Sequence, residues 1–174
     1  LFDGKDDYVA VKDAPCLRGV RELTISFWVK FDRVPSEAEY GDSMRILEKR
    51  DDYFVMWRAD LDCFHFSKTD ASDMKYHLGA VIPMPRMKPD IFYHIAVVAT
   101  DDLPFSDKKI AFCVNGEYLL KRTIAHYNPS CYRARWYGES TGELWFGMRS
   151  HPDDIYRLPF AGVLDDIRIY NTAL

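Results

Sequence analysis

The most regular hydrophobic pattern in the chain lies at residues 23–31. Apolar side chains there occupy every second position, at Leu23, Ile25, Phe27, Val29 and Phe31. A period of two is typical of a β-strand with one buried face. We therefore expect a strand whose odd-numbered side chains face the core.

Shorter runs with strand-like composition are scattered along the rest of the chain. They lie at residues 8–11, 45–49, 53–58, 63–67, 93–100, 109–114, 118–123, 143–148 and 163–170. Turn chemistry separates them, and Asn115-Gly116 supplies the positive φ values of a tight hairpin. No stretch sustains the apolar spacing of an amphipathic helix. The polar stretches 33–43, 68–77, 101–108 and 126–142 indicate loops, so the pattern predicts an all-β sandwich with little helix.

Chain length and net charge limit the possible domain organisation and partners. The 174 residues, 48% of them hydrophobic, are enough for one core, and we expect a single domain over residues 1–174. A net charge of −4 excludes the strongly basic balance of a general nucleic-acid binder. No apolar run approaches the ~18 residues that span a bilayer, so no membrane insertion is expected. Because residues 1–4, Leu-Phe-Asp-Gly, do not resemble a signal segment, we expect either a processed chain or a module of a larger protein.

The four cysteines, Cys16, Cys63, Cys113 and Cys131, show no CxxC spacing, which argues against a zinc knuckle or a redox pair. An even number permits two disulfides in an oxidising compartment. Isolated thiols that pack as small hydrophobes are the alternative. The sequence does not choose between them.

Several short blocks in register resemble the laminin-G-like jelly-roll family, part of the concanavalin A-like lectin and glucanase superfamily. The blocks are Phe-Asp-Gly at 2–4, Asp-Tyr-Val at 7–9, Leu-Thr-Ile-Ser-Phe-Trp-Val-Lys at 23–30, Tyr-His-Ile-Ala-Val at 93–97, Val-Asn-Gly at 114–116 and Phe-Ala-Gly-Val-Leu-Asp-Asp-Ile-Arg-Ile-Tyr-Asn-Thr-Ala-Leu at 160–174. The resemblance implies two antiparallel sheets in a concanavalin A-like jelly roll, with the first and last strands adjacent, so that residues 1–11 run beside 163–170.

The resemblance also implies a role. Its members are adhesive or carbohydrate-binding modules, so we expect an extracellular or cell-surface location, a glycan or extracellular protein as partner, and neighbouring domains in a larger parent protein. Two other functions stay open: a structural interaction domain without its own ligand, and an atypical glycan-active enzyme. Fold alone does not decide among them.

The sequence lacks the residue patterns that glycan hydrolysis and metal catalysis usually require. Glycan hydrolysis needs paired carboxylates that flank one glycosidic bond, and the superfamily pattern Glu-x-Asp-x-x-Glu is absent. Asp60-Leu61-Asp62 has the alternation but no third acid, and we interpret it as a solvated turn. The histidines show no metal-binding spacing. We therefore expect no enzymatic activity.

The strongest local asymmetry lies between Glu117 and Glu139, where no acidic residue occurs. Cations and aromatic rings alternate there, and the candidate ligand-binding residues are Arg122, Tyr132, Arg133, Arg135, Trp136 and Tyr137. Guanidinium groups form bidentate hydrogen bonds with carboxylate, sulfate or phosphate oxygens, and flat rings stack on the apolar faces of sugars. The segment is suited to an anionic glycan, and the alternative is a solvated charged loop.

Other aromatic residues have a simpler interpretation. Tyr53, Val55 and Trp57 share one strand face, which could bind a sugar if it were exposed. Apolar residues that alternate in this way more often belong to a buried core. We expect Trp28 and Trp145 to pack within their strands. His94 falls opposite the face of Ile95 and is expected to pack as well.

An acidic site is also predicted. In the last strand Val163, Asp165, Ile167 and Ile169 occupy every second position. The three apolar residues are expected to face inward, which places the Asp165 carboxylate on the same inward face. A buried charge needs a cation or several donors. If the first and last strands pair as the resemblance implies, Asp3 and Asp6 lie nearby, and carboxylate oxygens suit Ca²⁺. The alternative is that Asp165 caps backbone N–H groups of the opening loop.

Overall fold

The computed structural model describes residues 1–18, 22–35, 40–50, 52–69, 77–83, 87–102, 107–122, 140–150 and 157–174. Within these ranges the strands form two antiparallel sheets of six strands each. Helical structure in the same ranges is restricted to 3-10 turns at Pro15–Leu17 and Tyr40–Asp42. The all-β, concanavalin A-like jelly-roll sandwich predicted from the sequence is confirmed.

Each sheet combines strands from distant parts of the chain. In spatial order, sheet A contains β1 (Phe2–Asp3), β12 (Ala161–Tyr170), β3 (Leu23–Phe31), β8 (Phe92–Asp102), β9 (Asp107–Val114) and β10 (Glu117–Arg122). Sheet B contains β2 (Val9–Val11), β11 (Leu144–Phe146), β4 (Met44–Lys49), β5 (Tyr53–Arg58), β6 (Cys63–Thr69) and β7 (His77–Pro83). Each sheet therefore has one face toward the core and one outer face.

The core lies between the inner faces of the sheets. In β3 the predicted register is confirmed, because Ile25, Phe27 and Val29 are fully buried. Phe31 packs edge-on against Trp57 of sheet B, with ring centroids 5.9 Å apart. Edge-to-face aromatic pairs of this kind stabilise beyond their buried area, so they help to fix how the sheets stack.

The β9–β10 hairpin turns at Asn115 and Gly116, as predicted. Their φ angles are +52° and +83°, the left-handed conformations that a two-residue turn between twisted strands requires. The Asn115 side chain accepts a hydrogen bond from the His94 backbone N–H at 2.9 Å, so the turn is also tied to β8.

The first strands divide between the two sheets. Phe2 and Asp3 pair with Gly162 and Ala161 of β12, which confirms that the first and last strands are neighbours. The prediction that residues 9–11 continue along the last strand is wrong, since β2 pairs with β11 in sheet B. Gly4, at φ +76°, bends the chain between β1 and β2, and the conformation is accessible because glycine has no Cβ.

No described helix is long and apolar enough to cross a membrane.

Candidate functional site

The predicted cationic ligand-binding segment lies mostly outside the described residues. Tyr132, Arg133, Arg135, Trp136 and Tyr137 fall in the range 123–139. Arg122 is the last residue of β10, where its backbone pairs with Ile110 of β9. Ligand binding by these residues therefore stays a prediction.

The residues that follow this segment are anchored beside β4. The hydroxyl of Ser140 donates a hydrogen bond to the Arg50 carbonyl, and the backbone N–H of Arg50 donates to the Glu143 carbonyl at 3.1 Å. Strand β11 begins at Leu144 and pairs with β4. Residues 140–144 are therefore attached to sheet B.

The outer face of sheet B carries charged and aromatic side chains that the sequence analysis did not single out. Because Tyr53, Val55 and Trp57 point inward and are at most 1% exposed, the alternation of β5 sends the intervening side chains outward. Cross-strand register adds residues of β4 and β6 to the same face. We call Arg45, Glu48, Phe54, Arg58 and His65 the charged face of sheet B.

Arg45 is the centre of this face. Its side chain is only 2% exposed, and its guanidinium carbon lies 3.8 Å from the centre of the Phe54 ring. Its Nε lies 3.5 Å from Oε2 of Glu48. A guanidinium between a ring face and a carboxylate keeps its charge and a fixed orientation.

Two further contacts extend the arrangement. Oε2 of Glu48 accepts a hydrogen bond from the Ser150 backbone N–H at 3.2 Å. The His65 ring meets Phe54 edge-on, with centroids 5.3 Å apart. Phe54 and His65 are partly buried, whereas Arg45, Glu48 and Met56, which lies between Arg45 and His65 in the register, are buried.

Arg58, at the end of β5, pairs with Asp60. Its Nε lies 2.9 Å from Oδ1 of Asp60, and its Nη2 also donates to the other carboxylate oxygen. These hydrogen bonds from Arg58 lower the pKa of Asp60 below its usual value. Asp62 has φ +48° in the turn between β5 and β6, so the interpretation of residues 60–62 as a turn is confirmed.

The alternative platform at Tyr53 and Trp57 belongs to the core, as expected. The Tyr53 hydroxyl donates to the Leu17 carbonyl at 3.1 Å, and the Trp57 indole N–H donates to the Pro35 carbonyl at 2.8 Å. Burial raises the pKa of Tyr53 well above its usual value. Neither ring is open to a ligand.

The predicted inward position of Asp165 is wrong. Its side chain is exposed, and Oδ1 accepts the Asp166 backbone N–H at 2.8 Å. The register of β12 against β3 shifts between Asp165 and Arg168. This bulge breaks the strict alternation, so Ile167 and Ile169 pack against the core while Asp165 points outward.

Carboxylates do meet in the opening loop. Asp3, Asp6 and Asp7 each offer an oxygen, and these atoms lie within 4.8 Å of one another. Ca²⁺ binds oxygens at about 2.3–2.6 Å, so such a spacing fits one ion. Asp165 is not in the group, because Asp3 pairs with Ala161, four positions earlier in β12. Asp7, which stands next to Asp6 in the sequence, replaces it.

The outer face of sheet A presents Trp28. The indole contacts His94, with ring centroids 5.2 Å apart, and 38% of Trp28 remains exposed. His94 packs as expected, but the packing of Trp28 is incomplete. Trp145, on sheet B, stacks on Tyr8 with centroids 4.2 Å apart.

Cys16 and Cys113 have free thiols. Cys16 is exposed and Cys63 is buried. The alternative of isolated thiols therefore applies to Cys16 and Cys113, and Cys131 lies outside the described residues.

A family comparison covers nearly the whole chain. The laminin G family model, described as the concanavalin A-like lectin/glucanases superfamily, matches residues 3–174. No curated protein sequence gives a significant match.

Solved structures with this fold include domains of larger proteins. NanB with Optactamide superimposes with a TM-score of 0.66 at 13% identity, covering 99% of this chain and 25% of NanB, which is a sialidase of Streptococcus pneumoniae. The chain thus spans about a quarter of that protein. The Ruminococcus gnavus IT-sialidase CBM40 bound to α2,6-sialyllactose gives 0.56 at 12% identity, covering 95% of this chain and 91% of the CBM40.

A third similar structure is that of botulinum neurotoxin type C. The cell entry of this toxin depends on interaction with two ganglioside molecules. The TM-score is 0.59 at 11% identity, covering 96% of this chain and 37% of the toxin fragment. At such identities the similarity shows the fold alone.

Proposed function

The chain belongs to the concanavalin A-like lectin/glucanase superfamily, and on this basis we propose that it is a non-catalytic module that recognises an acidic glycan in an extracellular setting. The charged face of sheet B carries the proposal. It combines an oriented guanidinium, a carboxylate and two partly exposed rings on one sheet surface. Solved relatives of the same fold include one bound to sialyllactose and one dependent on gangliosides, which supports a glycan as ligand.

Phe54 is the primary contact in this proposal. Its ring is partly exposed and is held by Arg45, so the sugar-stacking surface is pre-formed. A pre-formed site loses less conformational entropy when the ligand binds. His65 contacts the ring edge-on, and Arg58 lies four positions further along β5. In the proposal these two residues supply hydrogen-bond donors to sugar hydroxyl and carboxylate oxygens.

The cationic segment provides the preference for acidic sugars. Arg45 and Arg58 are each paired with an acidic side chain, so the described part of the charged face is close to neutral. Lys121, Arg122, Arg133 and Arg135 have no acidic neighbour in sequence. Lys121 and Arg122 lie in β10 of sheet A, and the chain is attached to sheet B again from Ser140. In the proposal Arg133 and Arg135 bind the ligand's carboxylate or sulfate.

The state of one candidate acid, Asp60, supports a non-catalytic role. A general acid for glycoside cleavage needs a raised pKa and a second carboxylate across the scissile bond. Asp60 has a lowered pKa, and both its oxygens are occupied by Arg58. It is therefore suited to holding Arg58 in place and not to proton transfer.

Calorimetric titration tests the proposal with α2,6-sialyllactose, a heparin-derived tetrasaccharide and neutral lactose. At least one acidic probe is expected to bind more tightly than lactose. Phe54→Ala is expected to weaken that binding at least tenfold, since one stacked and desolvated ring is worth about 1.5 kcal/mol or more. The exposed Arg33→Ala serves as control.

Two results would overturn the proposal. One is equal affinity of the acidic probes and lactose. The other is unchanged binding by a folded Phe54→Ala variant. Release of sugar from any probe during the titration would contradict the non-catalytic assignment.

A further inference from the structure

The outer face of sheet A contains a second arrangement of aromatic and polar groups, on the opposite side of the sandwich from the charged face of sheet B. Trp28 lies in β3, next to the centre of the sheet, and its direct cross-strand neighbours are His94 of β8 and Asp165 of β12. With 38% of its surface exposed, the indole is held by His94 on one side and open on another.

The backbone of β12 is distorted at this position. Asp166 has φ +46°, which is unfavourable for a side chain other than glycine. The register shift between Asp165 and Arg168 places two residues opposite Phe27. Such bulges redirect side chains and occur often beside functional sites. The result here is a carboxylate, Asp165, directly across from the exposed indole.

Short side chains make room next to the ring. Ser26 and Ala96 are cross-strand partners that lie two positions along from Trp28 and His94, on the same outer face. No bulky side chain therefore stands at these two positions beside the indole. Arg168 pairs with Ser26 on the neighbouring strand β12.

The charges around Trp28 balance. Arg168 lies 2.9 Å from Asp166, and Lys30, whose ammonium lies 5.8 Å from the centre of the Phe92 ring, stands on the other side of Trp28. Two cations thus accompany the two acids Asp165 and Asp166. No net field selects a charged ligand, whereas carboxylate acceptors beside an open ring suit hydroxyl donors attached to an apolar face.

We propose that this face is a second ligand site, distinct from the charged face of sheet B, that takes the ring of a neutral hexopyranose. The sugar's C–H face lies on Trp28, and Asp165 accepts hydrogen bonds from its hydroxyl groups. Asp165 has one carboxylate oxygen, Oδ2, outside its bond to the Asp166 N–H, which is available for this role. The two sites together make the module bivalent for glycans that carry both acidic and neutral sugars.

Nuclear magnetic resonance tests the assignment with the intact chain. The probes are the methyl glycosides of galactose, glucose and mannose, titrated separately to millimolar concentrations. At least one is expected to shift the indole N–H resonance of Trp28, which is identified by its loss in Trp28→Phe. Asp165→Ala is expected to raise the Kd about tenfold or more, the loss of one charge-assisted hydrogen bond.

The controls separate this site from the proposed function. Asp42→Ala removes an equally exposed carboxylate elsewhere and is expected to leave the Kd unchanged. Binding of α2,6-sialyllactose at the charged face is expected to survive Asp165→Ala. No resonance shift with any of the three glycosides, or unchanged binding by folded Asp165→Ala, would overturn the site. A Trp28 shift that depends on protein concentration alone would assign the face to a protein contact instead.

Discussion

The ammonium group of Lys49 lies 2.6 Å from Oδ1 of Asp13, in a position where the lysine side chain is fully buried. It also donates to the Gly142 carbonyl. The other oxygen of Asp13 binds Arg18. One lysine on β4 therefore joins the N-terminal segment to the residues that precede β11, and the charge is buried because its partners satisfy it.

This cluster predicts an acid-sensitive contribution to stability. Hydrogen bonds from Arg18 and then Lys49 lower the pKa of Asp13 from 3.8 to about 2. Because the folded-state pKa is the lower one, the stabilisation is fully present above pH ~4 and is lost as the pH falls toward 2. Urea unfolding of Asp13→Asn is expected to show lower stability at neutral pH and a smaller decline over that interval.

A comparison with Asp42→Asn controls for the general loss of an acidic group, since Asp42 is exposed and outside this cluster. Parallel pH profiles for Asp13→Asn and the parent protein would contradict the assignment.

Alanine substitutions at two glycines distinguish the cost of backbone strain from the cost of a steric clash. At Gly116, with φ +83°, an added Cβ meets nothing within 4 Å, so Gly116→Ala carries conformational strain alone, about 1–2 kcal/mol. At Gly162 the same atom would clash with the Lys30 carbonyl oxygen of the neighbouring strand. Gly162→Ala therefore has to move β12 away from β3, and we expect a larger loss of unfolding free energy. Equal urea midpoints for the two variants would contradict this.

How far the sequence predicts this structure depends on how local each feature is. The face of β3 and the hairpin at Asn115 were predictable, because alternation and turn chemistry are contained within a few neighbouring residues. The orientation of Asp165 was not, since the register shift that reverses it depends on pairing with β3. Strand β7 (His77–Pro83) was also missed, because polar residues precede it and a proline ends it.

The candidate site shows the same limit. Charge asymmetry pointed to residues 118–138, and this signal is visible in composition alone. The charged face of sheet B depends on the register of β4 against β5, where a further bulge falls between Arg45 and Leu47. Only with that register do Arg45 and Phe54 meet. The alternation of residues 53–58 was the one available signal, once Tyr53 and Trp57 are assigned to the core.

Calcium binding by the opening loop is the third prediction. If Asp3, Asp6 and Asp7 hold one Ca²⁺, the ion stabilises the folded state by mass action, about 2.7 kcal/mol at a hundred times its Kd. Differential scanning fluorimetry is expected to show a melting temperature that rises with Ca²⁺ and falls again with EDTA. Asp7→Asn is expected to remove the response.

Asp165→Asn distinguishes this group from the set predicted by the sequence. Because Asp165 lies apart from the other three acids, its variant is expected to keep the full calcium response. Loss of the response in Asp165→Asn alone would restore Asp165 as a ligand, and a melting curve that ignores both Ca²⁺ and EDTA would remove the site altogether.

The last prediction concerns how the acidic glycan is recognised. If Arg133 and Arg135 bind its carboxylate or sulfate, affinity for α2,6-sialyllactose or the heparin tetrasaccharide should fall as salt is added, because screening shortens the field to about 10 Å at 0.1 M. Hydrogen bonds to charged groups are worth about 1.5–3 kcal/mol, so replacing both arginines by alanine should weaken binding about 100-fold or more. Titrations at low and high salt measure both effects.

A matched double variant decides whether charge or position matters. Arg33→Ala with Lys88→Ala removes the same charge from exposed sites elsewhere, so a purely global electrostatic effect would weaken binding equally in both double variants. A specific contact predicts that only the Arg133 and Arg135 variant loses affinity, and that its remaining binding no longer depends on salt. If that variant binds like the parent, the cationic segment is not part of the site, and recognition rests on Phe54, Arg58 and His65 alone.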